Sequence, residues 1–419
     1  VFMSYSGLLS DDTEKKSNRL LEFYKNEKLL FTPTELNAAV KNIDVIRQSV
    51  SEFKGKKKKI LTSGEYEKVV SANEKPESEI FAAINPTDSN NIIISPMKYD
   101  INNMMDGLML PIYYSKDFGE TWSVSSFRSK PVDPTAFVAG GGDPMFAFDA
   151  NGKAYFSWIN LFVTINGASI DSVFSAMFWV SSEDGGKNWD RSASDALAQK
   201  KAKYNQNGAL MGLDGMHDKQ WMAVDQSNSA YRNNLYTALV RFDIEGSSSD
   251  ATIIVKRKLS NKNEFEPEEV VVSKGNYELV QFSSIDTDNS GNVHVTFFGM
   301  NGTYKAFYHA VSKNGGSSFE TETKISEYNF SGGQMLGGTE YESIPGVNFA
   351  RLMPSPQFAI DKSNSSTAGN MYMVWTADGV DSKMNTDYDI YISKSTDGGS
   401  VWTTPKIVNA EAKGQQYYP

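Results

Sequence analysis

An all-β chain built from one repeated four-stranded sheet, behind a short helical front, is the fold predicted by three features of the sequence. A strand–turn–strand phrase recurs five times, a Ser/Asp/Gly-containing box follows each copy, and the hydrophobic period changes near residue 77. Before that point the period is helical. Residues 11–30 place Leu20, Leu21, Tyr24 and Leu29 on neighbouring faces. A second helix is expected from Thr32 as cap, Pro33 at the first helical position and Glu35 completing a capping box, followed by Leu36, Val40, Ile43, Ile46 and Val50. The pair ends near Lys54, so residues 1–60 form an N-terminal helical segment. The lysine run from Lys56 to Lys59 is a solvated connector in an otherwise acidic chain, and residues 61–76 form a linker.

From residue 77 to 419, short runs rich in Val, Ile, Tyr, Phe and Trp alternate with Gly, Asn, Asp and Ser turns. The hairpin phrase reads FAAINPTDSNNIIIS, FAFDANGKAYFSW, MAVDQSNSAYRNNLYTAL, SSIDTDNSGNVHVTF and FAIDKSNSSTAGNMYMVW, opening its turns on Asn85, Asp149, Asp225, Asp286 and Asp361. The second phrase is SKDFGETW from Ser115, SEDGGKNW from Ser182, SKNGGSSF from Ser312 and STDGGSVW from Ser395, with a shortened relative, SNKNEF, from Ser260. Each box trails its turn by 26 to 35 residues, an offset that two unrelated motifs would not keep. Each unit holds about four strands. Repeated around an axis, such sheets bury both faces and leave only short edges, which is a β-propeller.

The box S-x-D-x-G-x-T-W resembles the Asp-box, or bacterial neuraminidase repeat, of the sialidase-like propeller superfamily. Three copies carry the resemblance best: Ser115, Asp117, Gly119, Thr121 and Trp122; Ser182, Asp184, Gly186 and Trp189; Ser395, Asp397, Gly399 and Trp402. The copy at Ser312 has Asn314 for Asp and Phe319 for Trp. The box residues are structural: the Asp carboxylate accepts N–H groups inside a tight turn, Gly supplies a positive φ and Trp fills the space between strands. The resemblance implies six blades, and by the repeat the next turn would fall about five residues past Pro419, so the closing blade is expected outside this sequence. It also implies three arginines for a substrate carboxylate, the first in an Arg-Ile-Pro type motif ahead of the first box. No arginine lies between Arg47 and Arg128, so standard sialidase activity is not expected.

Candidate site residues sit at or just before the innermost strands, which line a propeller's channel. They are Asp143 in GGGDP; Asp214, His217 and Asp218 in LDGMHDKQW; and Glu340, Glu342 and Arg351 in the Gly-rich insertion GGTEYESIPGVNFARLMP; Arg241 is a further ligand-binding candidate. Asp143, Asp218 and Glu342 would supply an acid and base for glycoside cleavage, with Arg351, Glu340, His217 and Arg241 contacting ligand. Equally, Asp143 and Asp218 would bond to backbone at sheet junctions. His217, His294 and His309 form no metal motif, and no metal ligand set is assigned. DTDNSG has the spacing of a calcium loop at Asp286 and Asp288 but lacks the distal Glu and coincides with a hairpin turn.

Composition narrows the rest. The 419 residues carry 41 Lys and Arg against 51 Asp and Glu, a net charge of −10 that disfavours nucleic acid as a partner. No apolar run reaches the roughly 18 residues of a membrane-spanning helix. Without cysteine there is no disulfide, thiolate nucleophile or Cys-ligated metal. The first residue is Val, as after removal of a signal peptide or trimming. The Asn, Lys, Ser and Ile rich composition resembles exported Bacteroidota proteins, type IX secretion cargo with a C-terminal sorting region, implying a secreted or cell-surface location. Two functions follow as expectations: a module that binds extracellular glycan or a surface partner, and a glycoside hydrolase or lyase with a divergent channel site.

Overall fold

The computed structural model describes residues 68–71, 77–99, 108–127, 136–166, 169–190, 196–204, 210–213, 215–245, 248–329, 354–380, 383–409, 416 and 419. The expected helical segment over 1–60, and all of the 61–76 linker except 68–71, lie outside these residues. Among the described residues every regular element is a strand. The chain divides into two compact units, at Met216 and His217.

The first unit holds two antiparallel sheets. β1 (Glu77–Asn85), β2 (Asp88–Tyr99), β4 (Tyr113–Ser115) and β5 (Ser123–Val124) run in that order, with β3 (Leu108–Met109) beside β2. The second sheet is β6 (Ala136–Phe148), β7 (Ala154–Asn166), β8 (Ser169–Ser182), β9 (Ala196–Tyr204) and β10 (Leu210–Leu213), each paired with its sequence neighbour. Ile93, Met97 and Ile112 of the first sheet pack on Phe146, Phe156 and Trp158 of the second, where Phe156 and Trp158 stack at 5.2 Å. Burying such rings contributes about 2 kcal/mol each, so this contact adds substantially to the unit's stability.

The second unit begins within β11 (Gly215–Val224), which pairs with β12 (Leu235–Glu245), β13 (Ser248–Lys258) and β14 (Val270–Val271). After it come β15 (Leu279–Thr287), β16 (Val293–Asn301), β17 (Tyr304–Ser312) and β18 (Thr323–Asn329), then β19 (Gln357–Ile360), β20 (Met371–Val380), β21 (Lys383–Ser395) and β22 (Lys406–Ile407). β18 bonds β20 through Tyr328–Val380 and Asn329–Gly379, so the fourth and fifth repeats run on into one eight-stranded sheet rather than standing as separate four-stranded ones.

The boxes are closed turns of one design. Ser182 Oγ donates to Asp184 Oδ1 at 2.9 Å and accepts the Gly186 N–H at 3.0 Å, while the Asn188 N–H donates to Asp184 Oδ1 at 2.9 Å. The same bonds join Ser115, Asp117, Gly119 and Thr121, and Ser395, Asp397, Gly399 and Val401. Asn314 serves in place of Asp in the fourth repeat, accepting from Ser312 Oγ and the Ser318 N–H. Bonds from Thr121 hold Asp117 below the usual carboxylate range, and the Val401 N–H does the same for Asp397. Trp189 and Trp402 donate to the carbonyls of Gly186 and Gly399 at 3.0 and 3.1 Å. Trp122 Nε1 makes no such bond.

Three of the boxes also grip the sheet before them. The Gly185 carbonyl accepts from Asn91 Nδ2 at 3.0 Å, the Gly315 carbonyl from Arg257 Nη1 at 2.9 Å and the Gly399 carbonyl from Thr323 Oγ1 at 2.9 Å. Gly399, at φ +87°, lies so close that a Cβ there would meet the His309 ring at 2.1 Å. In the first box the left-handed place filled by Gly185, Gly315 and Gly398 elsewhere is Phe118, at φ 59° and 62 % exposed.

Two substitutions therefore have opposite expected signs. Ser182→Ala leaves the buried Gly186 N–H unpaired and should cost about 1–2 kcal/mol in chemical denaturation. Phe118→Gly removes left-handed strain at little loss of burial and should be neutral or stabilising by up to about 1 kcal/mol.

Candidate functional site

One backbone feature sets the inner strands. Six residues ahead of the turns at Asn85, Asp149, Asp225, Asp288 and Asp361 stands a residue with left-handed φ: Glu79 (49°), Asp143 (49°), Lys219 (50°), Phe282 (53°) and Ser355 (42°). Register shifts at Ser78/Phe81, Gly142/Met145 and Gln281/Ser284 mark three of these places as β-bulges, which turn side chains away from the strand's alternation. The fourth turn opens on Asp288, not Asp286, because the Asp288 N–H bonds the Asn292 carbonyl and the Gly291 N–H bonds the Asp288 carbonyl, as Asp149 does with Lys153 and Gly152.

The candidates Asp143 and Asp218, read as repeats of one another, are out of register by one residue. Asp143 is the left-handed residue of its strand, 8 % exposed, and its N–H donates to Glu79 Oε2 at 3.3 Å. Asp218 precedes Lys219 and is 2 % exposed; its Oδ2 accepts from Gln281 Nε2, on the next inner strand, at 3.2 Å. Asp218 Oδ1 and Gln281 Oε1 are buried with no hydrogen-bond partner.

His217 and Arg241 come together through a residue the sequence did not single out. Glu269, just before β14, bonds Arg241 Nη1 through Oε2 at 2.8 Å and faces His217 Nε2 through Oε1 at 3.4 Å. Arg241 Nε also bonds Asp243 Oδ2 at 2.7 Å. The His217 contact has ion-pair distance without hydrogen-bond alignment, so the Arg241 bond is the firmer. His217 and Arg241 together hold the Glu269 carboxyl down at about 2, against partial burial that works upward. The cluster reaches the surface: the side chains of Glu269, Arg241 and Asp243 are 26 %, 24 % and 40 % exposed, whereas that of His217 is 2 %. Behind it, burial lowers the Lys256 ammonium, which donates to the Pro267 carbonyl at 2.9 Å. Glu269 escaped notice because it lies beyond the one box that lost its glycines. Its only sequence signal was the acidic run Glu264, Glu266, Glu268 and Glu269.

Asp214, Glu340, Glu342 and Arg351 lie outside the described residues. His294 and His309 stack, with Nδ1 of the first 3.0 Å from Nε2 of the second, and His294 Nε2 lies 3.3 Å from Asp288 Oδ2. Asp288 Oδ1 accepts the N–H groups of Ser290 and Asn292, and Asp286 pairs with Lys362. Among the described residues no group of three or more His, Asp or Glu is arranged around a metal position, and no helix is long and apolar enough to cross a membrane.

No family model and no curated protein sequence matches the chain. Among solved structures it is similar to a protein of unknown function from Dyadobacter fermentans, at 12 % identity and TM-score 0.46 over 81 % of this chain and 85 % of that one. A Penicillium chrysogenum α-L-arabinanase complexed with arabinobiose gives 14 % and 0.45 over 78 % and 80 %, and a polysaccharide lyase, an ulvan lyase, 12 % and 0.44 over 78 % and 69 %. A likeness this low leaves activity to be read from the side chains.

The buried histidine pair makes acid the weak flank. Burial, then the neighbouring His294, push His309 down to about 3, from an ordinary value near 6.5. The unfolded chain therefore binds more protons between those values, and stability is lost as pH falls through that window. Asp288 and Glu269, both held at about 2, add losses only below about pH 4.5. Between about pH 7 and 4.5 the unfolding free energy should drop by on the order of 2 kcal/mol, and equal denaturation midpoints at the two pH values would remove His309 from the account.

Proposed function

We propose that the chain is a β-propeller of the Asp-box class, secreted or at the cell surface, that binds an extracellular glycan or surface partner through the His217–Arg241–Glu269 cluster without cleaving it. The box turns and their grip on the preceding sheet support the propeller; the count of six blades comes from the family resemblance. One observation carries the binding reading: the Glu269 carboxylate bonds the Arg241 guanidinium at 2.8 Å in a cluster that stays partly open to solvent. Glycoside cleavage needs a carboxylic acid that keeps its proton near neutral pH, and Glu269 is shifted the other way. An ionised carboxylate beside a guanidinium instead offers acceptors and donors to a polyhydroxylated ligand. Because Arg241 already engages two carboxylates, a neutral sugar fits better than an acidic one, consistent with the missing arginine signature of sialidases.

A glycoside hydrolase is the second reading, favoured by Asp218, an interior carboxylate with one oxygen unpartnered. Asp143 and Glu342 would then share the chemistry, with Arg351 and Glu340 at the ligand. Glycan-array binding followed by calorimetry separates the two. Binding to neutral glycans without product release is expected, and Glu269→Gln should weaken it at least about tenfold. Turnover abolished by Asp218→Asn or Glu342→Gln would replace the binding reading with the hydrolase.

A further inference from the structure

Asn–Gly pairs are chemically labile, because glycine has no Cβ to keep its nitrogen from the asparagine side chain. In three such pairs both residues are described: Asn151–Gly152, Asn301–Gly302 and Asn314–Gly315. The fold treats the three glycine nitrogens differently. The Gly152 N–H donates to the Asp149 carbonyl at 3.1 Å, and the Gly302 N–H donates to Glu278 Oε2 at 2.9 Å. A bonded N–H resists loss of its proton, most of all beside a carboxylate. The Gly315 N–H has no hydrogen-bond partner among the described residues, and Gly315 is buried, so that N–H carries a cost that ring closure would remove.

Its surroundings favour the charge that attack develops. The Asn314 carbonyl, in the same peptide as the Gly315 nitrogen, accepts from Ser317 Oγ at 2.9 Å and from the Ser317 N–H at 3.4 Å. Arg257 Nη1 bonds the next carbonyl, that of Gly315, at 2.9 Å. On the side chain, Asn314 Oδ1 accepts from Ser312 Oγ at 2.9 Å and from the Ser318 N–H at 3.0 Å. Donors so placed stabilise the oxyanion that forms when a nucleophile adds at Cγ. The Asn314 side is exposed, so water reaches the reacting group.

The fourth box is also built to hold an acid. Thr121 Oγ1 donates to Asp117 Oδ2 at 2.6 Å in the first box, and Asn188 Nδ2 to Asp184 Oδ2 at 2.8 Å in the second. In the fourth the polarity is reversed, with Asn314 Nδ2 donating to Ser318 Oγ at 2.9 Å. Were residue 314 an Asp, rotation of the Ser318 hydroxyl would restore the arrangement of the first box.

We propose that Asn314 is a self-modification site, at which the fold converts the Asn of the fourth box into the Asp of the others. The Gly315 nitrogen gives its proton to hydroxide and bonds to Asn314 Cγ; the Cγ–Nδ2 bond breaks, and Nδ2 leaves as ammonia with a proton from solvent. Water then opens the succinimide. Cleavage between Cγ and the Gly315 nitrogen gives Asp, and cleavage between the main-chain carbonyl carbon and that nitrogen gives isoaspartate. No electron changes hands; one amide becomes one carboxylate. Asp184 and Asp397 also precede glycine, but an ionised carboxylate is a poor electrophile, so the reaction stops at Asp. It is independent of any ligand.

The full chain, held in mildly alkaline buffer and then digested in heavy-oxygen water to mark deamidation during handling, is read by peptide mass spectrometry. Asn314 should convert at least about fivefold faster than Asn151 or Asn301, with Asp among its products. In urea the three rates should come together, since the fold no longer distinguishes the pairs. Asn314→Asp should keep the circular dichroism of the parent and a denaturation midpoint no lower. Four outcomes overturn the proposal: conversion of Asn314 without that excess, the same ranking in urea, isoaspartate as the sole product, or a lowered midpoint in Asn314→Asp.

Discussion

A serine hydroxyl that both donates and accepts inside each box is the interaction on which the rest of the chain depends. In four repeats it donates to an Asp or Asn side chain and accepts a glycine N–H, closing the turn with the glycine carbonyls turned outward. Those carbonyls, at Gly185, Gly315 and Gly399, are the acceptors for the preceding sheet. A local turn is thereby coupled to long-range sheet packing. With no disulfide available, joints of this kind and the aromatic layers beneath them are what align one repeat on the next. The third repeat, whose own box lost its glycines, still receives the fourth box: Arg257 bonds Glu266 within the repeat and the Gly315 carbonyl of the next.

The same repeat carries the charged cluster. Its outer segment, released from the glycine turn, brings Glu269 against Arg241 on β12 and His217 on β11. A group that departs from the repeat pattern while remaining partly open to solvent is where a repeat protein acquires specificity. The buried pair of His294 and His309 is a departure of another sort. His309 faces Gly399 of the following box and the Trp402 ring at 5.9 Å, so two polar rings occupy a joint that Ile93 and Ile112 fill in the first repeat.

Much of this was legible in the sequence. The boxes were visible because glycine, serine and a carboxylate must stand at fixed spacing for the turn to close, and the hairpins because their turns are acidic and their strands aromatic. The left-handed residues were not, since Glu, Asp, Lys, Phe and Ser share no side-chain property; the bulge is imposed by register between strands. That is also why Asp143 and Asp218 looked equivalent and are not. Asp286 was preferred to Asp288 because two acids two residues apart look alike until backbone bonds choose between them. His217 and Arg241 were found as isolated candidates, but their meeting through Glu269 depends on folding across the whole width of the third sheet.

The left-handed places have a consequence for how such a chain diversifies. Nature has set five chemically unlike side chains, none of them glycine, on one backbone geometry at the start of the inner strands. The scaffold dictates that conformation whatever residue occupies it, but the five places differ in what they touch: Phe282 packs against the Phe298 ring at 6.4 Å and Asp143 is 8 % exposed, so both are tied to the interior. Lys219 and Ser355, half-buried, are the ones at which a library could vary the side chain on a rigid strand with least demand on the core.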